Sequence, residues 1–254
     1  MKVGFIQFNP LFGDKKANLK KIKELVGESK ADLIILPEMC TTGYMVNDRN
    51  ELVELAESLS GATVNTVAQI ARENNLCIIF GMPEIIGNKV FSTAVAVGPK
   101  GVLAKHQKSH LFLKEKLWFD QGETLPAVFE WQGVRIGLGV CYDYMFPEFW
   151  RVLTMQGADI FCNTANFVFD YGFTMMRARS IENGVFSVTV NRVGTEREQT
   201  FRGGSEIVDN KGNIVAKAGI EECIKVLDLD LTQSRNKKWN EYNDLLKDRR
   251  IDLY

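Results

Sequence analysis

The chain has 254 residues, with 31 Lys and Arg against 32 Asp and Glu, 45% apolar and 25% charged residues. A formal net charge of −1 excludes a strongly basic nucleic-acid surface, and the composition excludes disordered, collagenous and coiled-coil classes. Five cysteines (Cys40, Cys77, Cys141, Cys162, Cys223) are spread without a CxxC pair, so neither a disulfide framework nor a zinc ribbon is expected, and a reducing compartment is the simpler setting.

In chain order, residues 3–8 predict a buried strand. This apolar run stops at Asn9-Pro10 and so does not read as a signal peptide. No run approaches the roughly 18 apolar residues of a membrane span, so a cytoplasmic protein with no membrane partner is expected. Residues 15–29 predict a helix with Leu19, Ile22, Leu25 and Val26 on one face, and 31–36 a strand ended by Pro37. Helices are expected over 51–59 and 62–74, and a strand over 76–81. Residues 90–97 and 102–105 predict a hairpin about Gly98-Pro99-Lys100-Gly101, and 127–131 with 134–140 a pair about Gln132-Gly133. A helix (148–156), a strand (159–164), a helix (173–183) and a strand (186–191) follow. Residues 205–208 and 214–216 form another hairpin, and the charged tail is partly helical. No linker divides the chain, so one α/β domain of layered helices and sheets over 1–254 is expected, with 231–254 as a C-terminal tail.

One internal echo is visible. The stretch from Val97 to Lys105 resembles that from Val208 to Lys217, which reflects either common turn chemistry or a sandwich of two similar halves.

Three residues stand where chemistry is possible. Cys141 follows the apolar strand 134–140 at a strand-to-helix turn, where a thiol can meet backbone N–H donors. Glu38 ends the strand beginning at Asp32, where burial would raise its pKa and make it a usable base. Lys108 follows the first hairpin and could stabilise an oxyanion. Each residue taken alone is more commonly structural. His106 and His110 have i,i+4 spacing, but Gln107-Lys108-Ser109 lies between them and no third ligand is evident, so no metal and no cofactor are expected.

Taken together, the blocks Leu36-Pro37-Glu38, Lys108-Ser109-His110-Leu111 and Cys141-Tyr142-Asp143, with Phe146-Pro147-Glu148 after the last, resemble the nitrilase superfamily of carbon–nitrogen hydrolases. A second glutamate pattern appears as Glu115, Phe119 and Gly122. Further matches are the segment from Arg177 to Asn183, Asn191-Arg192-Val193-Gly194, and the ending from Asp248 to Tyr254.

The resemblance implies a four-layer α-β-β-α sandwich and a homodimer or higher homo-oligomer. It also implies hydrolysis of a small amide through a Cys141 thioester. Glu38 would be the general base, Lys108 and the Tyr142 backbone N–H would stabilise the oxyanion, and Glu115 would orient Lys108 and the substrate. Tyr44, Tyr142, Phe146, Asn166 and Phe167 are the expected substrate-binding residues. Nitriles and N-carbamoyl amines are alternative substrates. A papain-like Cys–His pairing and a catalytically silent binding protein are the competing readings. Gln107 and Met145 stand where relatives carry arginine, and Ile251 where they carry proline. The change at Met145 argues against a substrate carboxylate. Tyr142-Asp143 after the cysteine, in place of Trp-Glu, favours amide over nitrile.

Overall fold

The computed structural model describes residues 1–253. The first half of the chain runs β1 (Lys2–Gln7), α1 (Lys15–Ser29), β2 (Leu33–Ile35), α2 (Arg49–Leu55), α3 (Ala62–Asn74), β3 (Cys77–Ile86), β4 (Lys89–Gly98), β5 (Gly101–Gln107) and the single-turn α4 (Glu115–Trp118). There follow β6 (Val128–Trp131), β7 (Val134–Val140), α5 (Pro147–Met155), β8 (Ile160–Thr164), α6 (Tyr171–Asn183) and β9 (Phe186–Val190). The last strands are β10 (Val193–Glu196), β11 (Gln199–Arg202), β12 (Glu206–Val208), β13 (Ile214–Lys217) and β14 (Cys223–Asp228).

Among the described residues, two six-stranded sheets form in the orders β14-β1-β2-β3-β4-β5 and β13-β12-β9-β8-β7-β6, with β10-β11 a separate ribbon. Their inner faces share one core, in which Phe5, Leu33 and Ile35 meet Leu138, Ile160 and Val188. Side chains alternate along a strand, so Ile6 and Ile34 turn outward onto Ile22 and Val26 of α1 and Val67 and Ile70 of α3. On the opposite side Phe161 packs beneath Trp150 and Leu153 of α5 and Phe173 and Met176 of α6. Apolar residues on both faces of the central strands thus produce the four-layer α-β-β-α sandwich that the resemblance implies.

The two halves repeat a topology. Parallel β1, β2 and β3 are followed by antiparallel β4 and β5, and parallel β7, β8 and β9 by antiparallel β12 and β13. The β4–β5 and β12–β13 hairpins sit at matching edges. Each shifts register at the same point of the echo, between Ala96 and Val97 and between Ile207 and Val208. The echo therefore marks equivalent places in two similar halves.

One expected strand changes its end, and strand β14 was not expected. The strand predicted over 76–81 runs on to Ile86 through Pro83. Gly81 and Ile85 donate away from β4, to Pro37 and Glu57, so the missing N–H of Pro83 falls on the side where β2 has already ended. β14, which has no local partner, pairs with β1 from the other end of the chain. The helical part of the tail is a single 3-10 turn, Leu231–Arg235, with Arg235 bonded to Asp159. Of the ending motif, Tyr254 lies outside the described residues. Among the described residues no helix is long and apolar enough to cross a membrane.

Candidate active site

The candidate residues converge because the carboxyl ends of parallel strands in both sheets meet in one place, the usual location for a site in an α/β fold. Glu38 lies just beyond β2, Lys108 directly after β5, Cys141 directly after β7 and Asn166 just beyond β8. Two glycines permit close approaches here. A Cβ on Gly81 would lie 2.5 Å from Glu38 Cα, so only glycine lets the Glu38 segment rest on β3. A Cβ on Gly122 would lie 2.3 Å from the Gln107 carbonyl oxygen, and the Gly122 N–H donates to the Lys108 carbonyl at 2.9 Å. The glycine of the second glutamate pattern thus fixes the lysine backbone.

Lys108 Nζ donates to Glu38 Oε1 at 2.9 Å and to Glu115 Oε1 at 2.7 Å, and all three side chains are buried. Ser92 Oγ donates to Glu38 Oε1 at 3.0 Å, while Glu38 Oε2 is buried without a hydrogen-bond partner. Tyr44 donates its hydroxyl to Glu115 Oε1 at 2.6 Å, and Glu115 Oε2 accepts the Phe112 N–H at 2.7 Å. Asn166 bridges the two sheets: its Nδ2 donates to the Glu38 carbonyl at 3.0 Å.

Burial raises the pKa of Glu38; Lys108 opposes this and Glu115 adds to it. Burial also opposes the charge of Lys108, but the carboxylates of Glu115 and Glu38 outweigh it, and the ammonium titrates well above its usual range. Burial raises the Cys141 thiol well above its usual range against the pull of Lys108, with Glu38 and Glu115 raising it further. The resting cysteine is therefore a neutral thiol that needs a base. Its φ of +43° places a non-glycine residue in the left-handed region, as expected for a sharp turn that projects one side chain.

The two histidines turn elsewhere. His106 Nε2 lies 2.9 Å from Asp143 Oδ2, and His110 Nδ1 lies 2.7 Å from Asp143 Oδ1. The backbone N–H groups of Val140 and His110 complete the shell, so each Asp143 oxygen makes two hydrogen bonds. Burial alone would raise the Asp143 pKa, but bonds to His106 and His110 bring it down to about 2. The cluster holds the turn that carries Cys141 and gives neither imidazole to the thiol.

The cavity at Cys141 is lined by Phe112, Tyr142, Tyr144, Asn166, Phe167, Val168 and Phe169, at a volume of about 10 Å³. Of the residues expected to bind substrate, Tyr142, Asn166 and Phe167 line it. Tyr44 lies instead behind Glu115, and Phe146 stacks on His110 with ring centroids 3.6 Å apart, lining a neighbouring cavity of about 620 Å³ that also includes Tyr142. Phe146 begins the turn into α5, and its packing on the histidine directs it away from the thiol. Sequence reasoning missed Ser92, Phe112 and Phe169, which sit in no motif, and Tyr144, which lies inside the Cys141 block. It also missed the anchor of Tyr44: buried Glu196 accepts the Tyr44 and Met45 N–H groups at 2.7 and 2.6 Å and pairs with buried Arg192. The only available signal was Arg192 in the Asn191-Arg192-Val193-Gly194 match.

A sandwich with a buried cysteine, lysine and two carboxylates at its strand ends defines a class of cysteine-containing hydrolase folds. The chain belongs to the carbon–nitrogen hydrolase family, which it matches over residues 2–239. It is an amidase- or nitrilase-type enzyme. It is 37% identical to a nitrilase of Pyrococcus abyssi, over 100% of this chain and 99% of the relative. It is 34% identical to an (R)-stereoselective amidase of Pseudomonas sp., over 100% of this chain and 93% of the relative. Among solved structures it is similar to an amidase from Nesterenkonia sp. (TM-score 0.85, 28% identity, 100% of this chain and 94% of that one). A variant of the Nesterenkonia amidase carries acrylamide, by Michael addition, at its active site cysteine.

Proposed function

We propose that the protein hydrolyses small neutral amides with apolar or aromatic acyl groups to the carboxylic acid and ammonia or an amine, through a thioester on Cys141. The observation that carries this reading is the orphaned Oε2 of Glu38, a buried carboxylate oxygen whose charge acts on the buried Cys141 thiol. Glu38 takes the thiol proton as the sulfur attacks the amide carbon. Lys108 and the Tyr142 backbone N–H stabilise the tetrahedral oxyanion, each such donor being worth roughly 3–4 kcal/mol in a comparable site. The C–N bond breaks, and the leaving amine takes the proton from Glu38. Water then attacks the thioester and gives its proton to Glu38. The acid departs as Cys141 regains a proton. Glu115 keeps Lys108 charged and oriented.

The substrate class rests on the cavity lining, which is aromatic and apolar apart from Asn166 and the thiol. No arginine or lysine lines it to bind a carboxylate. This differs from what the names of some relatives imply, such as a 2-oxoglutaramate amidase of Bacillus subtilis at 31% identity. Nitrile hydrolysis is the second reading, favoured by the Pyrococcus abyssi relative.

The test is ammonia release from propionamide and propionitrile by the wild type and by Cys141→Ala, expected to fall by a factor on the order of 10⁴ or more in the variant. Equal release by both proteins would sink the thioester. Turnover of the nitrile alone would reverse the substrate order.

A further inference from the structure

The cavity at Cys141 is small and only partly covered. About 10 Å³ is room for about one water molecule, so no acyl group beyond the very smallest enters unless a wall moves. The outermost wall is Phe169, whose side chain is 51% exposed although it lines the cavity. Its ring stands edge-on to Phe112 at 6.5 Å between centroids. Its outer side lies nearly parallel to Tyr171 at 5.5 Å, and Tyr171 is itself 43% exposed. Phe112 in turn packs on Tyr142 at 5.0 Å.

The backbone around Phe169 is the least tethered part of the wall. On one side Asn191 holds Phe167, accepting its N–H at 2.8 Å and donating to its carbonyl at 3.4 Å. On the other side α6 begins, with the Asp170 carbonyl accepting the Phe173 N–H at 3.2 Å. Between these anchors, the backbone groups of Val168 and Phe169 make no hydrogen bond among the described residues. A half-exposed ring on an untied two-residue span is the cheapest part of the wall to displace, because moving it breaks no backbone bond and uncovers little apolar surface. The rest of the wall is held more firmly: Phe167 and Tyr144 are buried, and Tyr142 follows the strained cysteine.

We propose that Phe169 is the specificity-determining residue of this site, a hinged cap whose displacement sets the largest acyl group that can reach Cys141. This inference rests on the assignment of Cys141 as the nucleophile. Acyl chains that fit beneath the ring react with it in place. Longer or branched chains must hold it open, and they lose its packing on Phe112 and Tyr171.

The experiment compares kcat/KM for propionamide and hexanamide in the wild type, Phe169→Ala and Phe169→Leu. The wild type is expected to favour propionamide. The hexanamide-to-propionamide ratio is expected to rise about tenfold or more in the alanine variant and by less in the leucine variant. A second readout needs no turnover: the rates at which iodoacetamide and N-phenyliodoacetamide alkylate Cys141, whose ratio is expected to shift the same way. A wild type indifferent to chain length overturns the proposal. So do ratios unchanged in both assays, or an equal loss on both amides with an unchanged alkylation ratio. A wild type that turns over no amide and forms no acyl adduct would sink the amidase reading, while the alkylation ratio would still decide the role of Phe169.

Discussion

Two buried charge clusters flank the Cys141 turn, and they are built on opposite rules. Around Asp143 every carboxylate oxygen is doubly bonded, to two imidazoles and two backbone N–H groups, and the acid is held down at about 2. Around Lys108 two carboxylates share one ammonium. One of them, Glu38, keeps an oxygen with no partner and has its pKa raised by burial. The Asp143 carboxylate stays ionised across the working range of pH and serves as a fixed support. An unsaturated carboxylate has a site where a proton can arrive and leave. Proximity to Cys141 therefore does not separate chemistry from scaffolding in this protein, since Asp143 is only two residues away. What differs is whether the carboxylate beside Cys141 keeps an oxygen unmet, as Glu38 does and Asp143 does not.

That contrast is tested most severely by Glu38→Gln. The amide keeps the size and most of the hydrogen bonds of the carboxylate but cannot carry the proton, so kcat/KM should fall by about 10² to 10⁴ with little loss of stability. Steady-state ammonia release and a denaturant melt measure the two quantities. A variant retaining a third of wild-type activity would move the base elsewhere. Glu115→Gln should have a smaller effect with a distinctive signature. Glu115 raises the Glu38 pKa, and the protonated form of Glu38 is inactive, so wild-type kcat/KM should decline as pH falls through a value above the ordinary carboxylate range. Removing the Glu115 charge, and leaving Lys108 wholly to Glu38, should shift that acid limb to lower pH while lowering the plateau about tenfold or more. A limb that stays put would detach Glu115 from the base.

Asp143→Asn tests the other side. The folded-state pKa of Asp143 lies below its unfolded value. The carboxylate therefore contributes stability that is present above about pH 4 and lost as pH falls towards 2, an effect of about 2–3 kcal/mol at neutral pH. The asparagine variant should be destabilised by about that amount, and its stability should depend less on pH below 4. Its kcat/KM should stay within about tenfold of wild type. Urea unfolding at pH 7 and pH 3.5 checks the first two, and a loss of activity as deep as that of Glu38→Gln in a stably folded protein would erase the distinction.

The layered fold was legible because its core strands are short apolar runs, two of them ended by Pro37 and Cys141, and the helices 15–29 and 62–74 carry clear one-sided faces. β14 was not legible, since its pairing with β1 spans more than two hundred residues and leaves no local trace. The catalytic set could be read only as an ordered group of motifs resembling a family; singly, Glu38 or Lys108 looks like any loop residue. Ser92, Phe112 and Phe169 stayed hidden because their part in the site comes from tertiary placement. Phe146, expected at the substrate, stacks on the His110 ring, a pairing that its place near Cys141 in the sequence does not reveal.

The smallest expected effect belongs to Tyr44→Phe, which tests whether the unsaturated cluster is tuned from outside. Tyr44 is held in place through its backbone N–H by Glu196, itself paired with Arg192, so the ring should stay where it is when the hydroxyl is removed. Burial, and then Glu115 and Glu38, raise the phenol well above its usual range, so it acts only as a neutral donor to Glu115 Oε1. Without that donor, Glu115 leans more on Lys108, and the lysine is drawn away from Glu38. Glu38, with less of the nearby positive charge, should then titrate higher, and the acid limb of kcat/KM should move up in pH, opposite to the shift from Glu115→Gln. A fall of about threefold to tenfold at neutral pH is expected, the scale of one hydrogen bond acting at second hand. A pH–rate profile of this variant beside Glu115→Gln decides the matter, because shifts of the same sign would mean that the hydroxyl does not act through the carboxylate it touches.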